Sequence, residues 1–372
     1  GIAVIKSYNL QHQMNTSFNT LAVESYHKNM GLARVQAWFF PLMILLIGFS
    51  NIIVIYVGGN QYINDQIKIG VLAEFIIYVN MLTWPVAVVG WITSIIQQAE
   101  ASQKRINVFL KERPEIEDGT GVNQKIKGNL SFKNVSLYYP ETKIQAIKHI
   151  NFNIKKGTTL GVIGNIGSGK STLLDLISRL YDPSEGKIEL DGKDLKKYRL
   201  EELRSAIGYI PQNAFLFSES IEENIRFGSI EAKEEDIIAA TKRAAVHQNI
   251  MKFKDGYKTL LGERGVTLSG GQIQRVSIAR VFIKDPKILL LDDCLSAVDT
   301  DTEEEILKHL KSISSDKTTI IVSHRISSIK HADQIIVFEN GQIVQQGKHK
   351  DLIEIKGYYK KLSEKQQSDI SK

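Results

Sequence analysis

The sequence predicts a two-part fold: a membrane-spanning α-helical segment, then an α/β domain carrying a helical insertion. Three observations carry this expectation. Two long apolar runs stand in the N-terminal third. A glycine-rich loop, Gly164-Asn165-Ile166-Gly167-Ser168-Gly169-Lys170-Ser171, separates a strand-like stretch from a helix-like one. Beyond it, short apolar runs alternate with segments of helical periodicity.

Ala37 to Gly58 contains no charged residue, and Val71 to Ile96 contains only Glu74. Each is long enough to cross a bilayer as a helix, and the polar stretch 59–70 joins them as a hairpin. Lys28 and Arg34 precede the first span, whereas Lys104, Arg105 and Lys111 follow the second. The connecting loop holds only Asp65 and Lys68, so the positive-inside rule puts both outer flanks in the cytoplasm. Trp84-Pro85 is expected to kink the second span, which a helix bundle tolerates. Glu74 either snorkels to the interface or faces a cavity. Residues 1–36 are polar with helical periodicity, and 97–110 should continue the second span as a helix. Pro114, Gly119 and Gly121 mark 111–128 as a linker. Neither run reads as a signal peptide, since no short apolar core with a small-residue cleavage site opens the sequence. Opening on Gly1 without an initiator Met, it reads as a piece of a longer protein.

The chain has 372 residues and a net charge of +6. Its lysines are spread rather than blocked, so basic flanks beside an anionic leaflet account for the charge without a nucleic-acid partner. One cysteine, Cys294, excludes an internal disulfide and reads as a small buried hydrophobe. None of the eight histidines has zinc-like spacing.

The loop from Gly164 to Ser171 matches the phosphate-binding pattern G-x-x-x-x-G-K-[ST] at every fixed position. Thr159 to Ile163 should be the strand before it, and Thr172 to Leu180 the helix after it. Glycines let the backbone wrap an anion, and the helix N-terminus adds partial positive charge. Lys170 should reach the β- and γ-phosphates, and the Ser171 hydroxyl should ligate Mg²⁺. Residues Gly164 to Thr172 are the expected nucleotide-binding segment of a triphosphate site.

Leu268-Ser269-Gly270-Gly271-Gln272 lies shortly before the apolar run Ile288 to Leu291, which ends in Asp292-Asp293. Here the chain resembles the nucleotide-binding domain of ATP-binding cassette (ABC) transporters, an α/β P-loop NTPase domain with a helical subdomain. The pieces follow in family order: an aromatic loop at Tyr139, the phosphate loop, Gln212, the signature, the Walker B strand, Ser296-Ala297-Val298-Asp299, and His324 in Val322-Ser323-His324-Arg325. The resemblance covers 129–364, with 365–372 left as a polar tail that should fray from Ser363 onward. A looser likeness makes 1–110 part of an exporter membrane domain. Gly1 to Tyr8 resembles the loop of its coupling helix, which in the family docks on a nucleotide-binding domain, typically the partner subunit's. The spans resemble its fifth and sixth transmembrane helices, with the first four absent.

The resemblance implies roles. Tyr139 would stack on adenine, with Tyr138 on the opposite strand face. Ser171, Gln212 and Asp292 would hold Mg²⁺. Asp293, His324 and Gln212 would act in catalysis. Leu268 to Gln272, with backbone donors at a helix start near Gly271, would meet ATP held by a partner, and Asp299 would form the D-loop. The implied activity is ATP hydrolysis coupled to export by an integral protein of the cell membrane, its cassette cytoplasmic. The implied partners are the bilayer, a second half-transporter and an exported substrate of open class. Asp293 departs from the family, which mostly has Glu there; the shorter reach suggests a degenerate site and a heterodimer, with a slow homodimer as the competing reading. The rivals are a soluble ABC ATPase of DNA repair or translation, opposed by the two spans, and an importer ATPase, which normally lacks fused spans.

Overall fold

A computed structural model describes residues 2–122, 124–262, 268–296, 298–314 and 316–370. Gly1, Ala297, Ser371 and Lys372, all included in the readings above, lie outside the described residues. The chain divides into two units, Gly1–Arg113 and Pro114–Lys372.

The first unit holds α1 (Ile2–Ser7), α2 (Gln11–Ile63) and α3 (Ile69–Lys111). Both apolar runs lie inside α2 and α3, and no side chain on either helix is buried. Lipid can solvate such surfaces because a helix satisfies its own backbone hydrogen bonds. At 1.5 Å per residue, the 53 residues of α2 extend well past a bilayer core of about 30 Å. The two helices meet through small residues: a Cβ at Gly58 would stand 2.4 Å from Leu72, and one at Gly90 would stand 3.1 Å from Phe39. Pro85, the expected kink, lies inside α3, which is helical from Ile69 to Lys111.

The second unit contains two sheets. One is antiparallel, ordered β2-β1-β4-β5, from β1 (Leu130–Tyr138), β2 (Gln145–Ile154), β4 (Glu185–Leu190) and β5 (Lys193–Asp194). The other is mixed, ordered β10-β9-β3-β8-β7-β6. Its strands are β3 (Thr159–Gly164), β6 (Ile207–Ile210), β7 (Ile288–Asp292), β8 (Thr318–Val322), β9 (Gln334–Glu339) and β10 (Gln342–Gly347). All pair in parallel except the β9–β10 hairpin. Among the described residues, ten α-helices complete the unit: α4 (Lys170–Ile177), α5 (Leu200–Ser205), α6 (Ile221–Arg226), α7 (Glu234–Arg243), α8 (His247–Ile250), α9 (Gly270–Lys284), α10 (Thr300–Ser314), α11 (Ile326–Ile329), α12 (His349–Glu354) and α13 (Tyr358–Ile370). Helices α6 to α8 form the insertion expected between Gln212 and Ser269.

Successive residues of the central strands face opposite layers, as the two-residue period of a strand requires. Leu160, Val162, Leu290 and Ile320 pack with α4 and the antiparallel sheet. Ile163, Leu289, Leu291 and Ile321 pack with α6, α7 and α9. Strands covered on both faces explain why every residue of β7 and β8 is buried and why the apolar runs Ile288–Leu291 and Ile320–Val322 do not alternate with polar residues.

Two stretches are tied down more than their composition suggests. From Pro114, much of the stretch read as a linker lies against the second unit: Val122 enters its core, and the Glu117 carbonyl accepts a bond from buried Arg179. The stretch from Ser363, expected to fray, is instead helical to Ile370, with Ser363 buried. An amphipathic face with a tertiary partner outweighs polar composition there.

Leu174, on the covered face of α4, is fully buried in the core beneath the phosphate loop. Leu174→Ala is expected to cost about 2–5 kcal/mol through a cavity. Thermal unfolding of the detergent-solubilised chain should show the second unit melting roughly 5–15 °C lower.

Candidate nucleotide site

The site lies where the parallel strands β3, β8, β7 and β6 release their carboxyl ends, the usual ligand position in such sheets. Register brings the pieces level. Val162 and Asp292 both pair with Val322, and Ile210 pairs with Leu291. The phosphate loop, Asp292-Asp293, Ser323-His324 and Pro211-Gln212 therefore leave the sheet side by side.

The phosphate loop crosses from β3 to α4. Gly169 has φ +101°, and a Cβ there would stand 2.5 Å from the Ala146 carbonyl; Gly167 has φ +75° beside open space. Only glycine adopts both without strain. Lys170 Nζ donates to the carbonyls of Gly164 at 3.0 Å and Asn165 at 2.7 Å. Burial lowers its pKa, against the pull of Asp292 and Asp293. The ammonium is thus held inside the loop as a cation poised for an anion. Thr172 Oγ1 lies 2.8 Å from the Tyr139 hydroxyl, and Tyr181 packs edge-on to the Tyr139 ring at 5.1 Å. Tyr138 is exposed. Tyr139, Lys148, Gly167, Gly169 to Thr172, Asn340 and Gly341 line an open cleft of about 570 Å³.

Asn340 and Gly341 escaped sequence reading although Asn-Gly is a strong hairpin signal. Both have positive φ, and they turn β9 into β10. Gly341 N–H donates to the Ser168 carbonyl, and its own carbonyl accepts from Lys148 N–H. Sheet order, which sequence does not state, brings this turn beside the loop.

Asp292 ends β7 and is buried. Burial pushes its carboxyl up, while bonds from the Ser171 hydroxyl and the Tyr209 phenol oppose that. The Ser171 and Asp292 oxygens face each other and form a hard donor pair suited to Mg²⁺. Among the described residues no cluster of three or more His, Cys, Asp or Glu could hold a metal. A two-oxygen site fits an ion that arrives with phosphates and keeps water ligands. Gln212, also expected at the metal, is exposed in the loop after β6.

Asp293 follows with φ +43°, a left-handed backbone that Asp tolerates better than most residues. Its N–H donates to the Val322 carbonyl at 2.9 Å, and its Oδ1 stands 3.4 Å from the His324 backbone nitrogen. The carboxylate and the His324 loop are therefore neighbours. Arg325 Nη1 donates to Glu303 Oε2 at 2.7 Å, and the Ser328 hydroxyl donates to the same buried carboxylate. Glu303 sits in the first turn of α10, which begins directly after Asp299; the Asp299 carboxylate accepts from Thr302 N–H at 3.0 Å and caps that helix. Neither Glu303 nor Ser328 belongs to a motif, so sequence reading passed over both.

The signature segment begins α9 at Gly270 rather than Gly271. Ser269 accepts from Gln272 N–H, and Gln272 Oε1 accepts from Ser269 N–H, a reciprocal capping box. Leu268 is buried in the core, so its side chain anchors the segment rather than facing outward. A Cβ at Gly270 would meet nothing within 4 Å. Further along α9, buried Gln274 donates to the Pro211 carbonyl at 3.2 Å, and Arg280 donates to the carbonyls of Asn224 and Phe215. The helix thereby holds the Gln212 loop from behind. Cys294 is buried, and burial pushes its thiol pKa far up, as a structural thiol requires.

Asp175, on α4, is pushed up to about 6 by burial and secondarily by Asp292. A carboxyl raised from 3.8 costs stability when ionised, so its contribution improves as pH falls through 6 toward 4. Asp175→Asn should therefore stabilise the domain at pH 7.5 by about 1 kcal/mol after solvent screening, and not at pH 4. Melting curves at both pH values check this.

Residues 147–296 match the ABC transporter family, and residues 1–86 match the ABC transporter transmembrane region. The uncharacterized ABC transporter ATP-binding protein YknU of Bacillus subtilis is 40% identical over 372 residues, 100% of this chain and 64% of that protein. The multidrug resistance-like ATP-binding protein MdlA of Escherichia coli is 37% identical over 370 residues, 100% of this chain and 63% of that protein. The chain thus spans just under two thirds of the curated relatives it matches. The solved structure of a bacterial Atm1-family ABC exporter with ATP bound superposes with a TM-score of 0.92 at 29% identity, over 98% of this chain and 65% of that one. Two membrane-length helices ahead of a cassette with this loop and signature, together with these likenesses, place the chain in the ABC transporter family, as an exporter-type subunit that joins transmembrane helices to an ATP-binding domain.

Proposed function

We propose that the chain hydrolyses ATP to drive export across the cell membrane, with its cassette in the cytosol and a second half-transporter as partner. The observation that carries this is the convergence of Lys170, Ser171, Asp292, Asp293 and the His324 loop at one sheet edge, in a chain with two membrane-length helices. A soluble ATPase of repair or translation has no use for those helices. Relatives named as multidrug resistance-like bring a drug-like cargo within the proposal, alongside lipids and peptides.

Tyr139 stacks on the adenine, held upright by Thr172 and Tyr181. Lys170 exchanges its two carbonyl partners for the β- and γ-phosphates. Ser171 and Asp292, with Gln212, hold Mg²⁺, which neutralises phosphate charge when bound. Asp293 orients the attacking water, and His324 contacts the γ-phosphate. The partner's signature closes on the far side of the nucleotide, so ATP joins the two cassettes and its hydrolysis releases them. Ser269, Gly270 and Gly271 do the same for the partner's ATP.

Asp293 is shorter than the usual Glu by one methylene, and misplacement on that scale costs about 100-fold in rate. The chain's own Walker side then turns over slowly while its signature completes a faster site on the partner. Restoring reach by Asp293→Glu should raise ATP turnover about tenfold or more in membrane vesicles. An unchanged or lower rate would show that Asp293 does not limit hydrolysis.

Asymmetry provides the second test. Gly270→Asp points a carboxylate into open space on this chain, so it folds, but the charge opposes the partner's γ-phosphate. In a heterodimer it should remove most ATPase activity, whereas Lys170→Ala should leave about half or more. A homodimer carries each change in both equivalent sites, so the two losses would match.

A further inference from the structure

Gln366, on the C-terminal helix α13, lies outside every motif of the site. Its carboxamide nevertheless grips the backbone just after His324, on both sides of Arg325. Gln366 Nε2 donates to the His324 carbonyl at 2.7 Å, and Gln366 Oε1 accepts from Ile326 N–H at 2.9 Å. The pair closes a ring across His324-Arg325-Ile326, and each bond is short enough to be strong. These groups lie where β8 has ended at Val322 and α11 has only begun at Ile326. The sheet gives the His324 carbonyl no partner there, and a helix leaves its first N–H groups unbonded. The other side of the same loop is held by Glu303, through Arg325 and Ser328.

We propose that Gln366 is a positioning residue for ATP hydrolysis, one that makes α13 a working part of the nucleotide site. The inference rests on the reading of His324 as the γ-phosphate contact. Two bonds that bracket Arg325, one of them on the His324 carbonyl, fix the peptide plane that leaves His324, and with it the position of the Cα from which the imidazole projects. An ångström of freedom there removes catalytic alignment while leaving the phosphate loop, and hence ATP affinity, untouched.

The test uses the full chain with its natural partner subunit in lipid nanodiscs. Gln366→Ala should lower kcat about tenfold while KM for ATP stays within about twofold. Hydrogen exchange should show lost protection in residues 323–329, Ile326 above all, with the phosphate-loop peptide unchanged. Gln366→Glu keeps an acceptor for Ile326 N–H but sets a carboxylate against the His324 carbonyl, so its kcat should also fall. Adding Gln366→Ala to His324→Ala should reduce the rate no further, because both act through one side chain. If His324→Ala alone leaves kcat intact, the reading of His324 fails. If His324→Ala is impaired but Gln366→Ala turns over normally, or loses protection throughout the domain with KM rising alongside, this inference is overturned and the reading of His324 stands.

Discussion

The parallel pairing of β3 with β8 and of β8 with β7 is the constraint on which the rest of the site depends. These strands are covered on both faces, so a slip of one residue would exchange the side chains meant for the two layers. Leu160 and Val162 face α4, whereas Ile163 and Leu291 face the helical layer, and neither layer has room for the other set. Once that register holds, the positions of the loops follow. The phosphate loop, the paired aspartates and the histidine loop leave adjacent strands at the same height.

The electrostatics of the site follow from this crowding. Asp175, Asp292 and Asp293 share a partly buried space with one ammonium, Lys170. Burial raises Asp175 and Asp292 and lowers Lys170. Internal bonds moderate the cost: two loop carbonyls hold Lys170, and the Ser171 hydroxyl and Tyr209 phenol serve Asp292. A triphosphate accompanied by a divalent cation suits such a site because it brings an anion to the lysine and a cation to the carboxylates.

Loops at the ends of strands leave backbone groups without sheet partners, and here side chains from distant helices supply them. Gln274 bonds the Pro211 carbonyl, Arg280 bonds that of Phe215, and Gln366 bonds the His324 carbonyl and the Ile326 N–H. Each attachment runs from a helix to a loop that follows a strand of the parallel sheet. Movement of α9 or α13 would therefore be felt at the loops that carry Gln212 and His324, a physical route by which helix packing and the geometry of the candidate site are linked.

The sequence by itself determined the two membrane-length helices, the phosphate loop between strand and helix, and the strands Leu130–Tyr138 and Thr318–Val322 to the residue. Local causes suffice for these. An uncharged run needs lipid or a core, a glycine loop needs positive φ, and a β-branched run needs a sheet. The motif residues were legible for the same reason, since their chemistry is tied to short spacings. Only the tertiary structure decided that Leu268 is an anchor, that Asn340-Gly341 closes the cleft, that Glu303 clamps Arg325, and that the polar end of the chain is a helix reaching back to His324. Each of these depends on which strand lies beside which and on contacts between residues far apart in the chain. Gln366 and His324 stand 42 positions apart, and no local pattern joins them. Their meeting is a consequence of sheet order and helix packing, which the periodicity of a single chain does not encode.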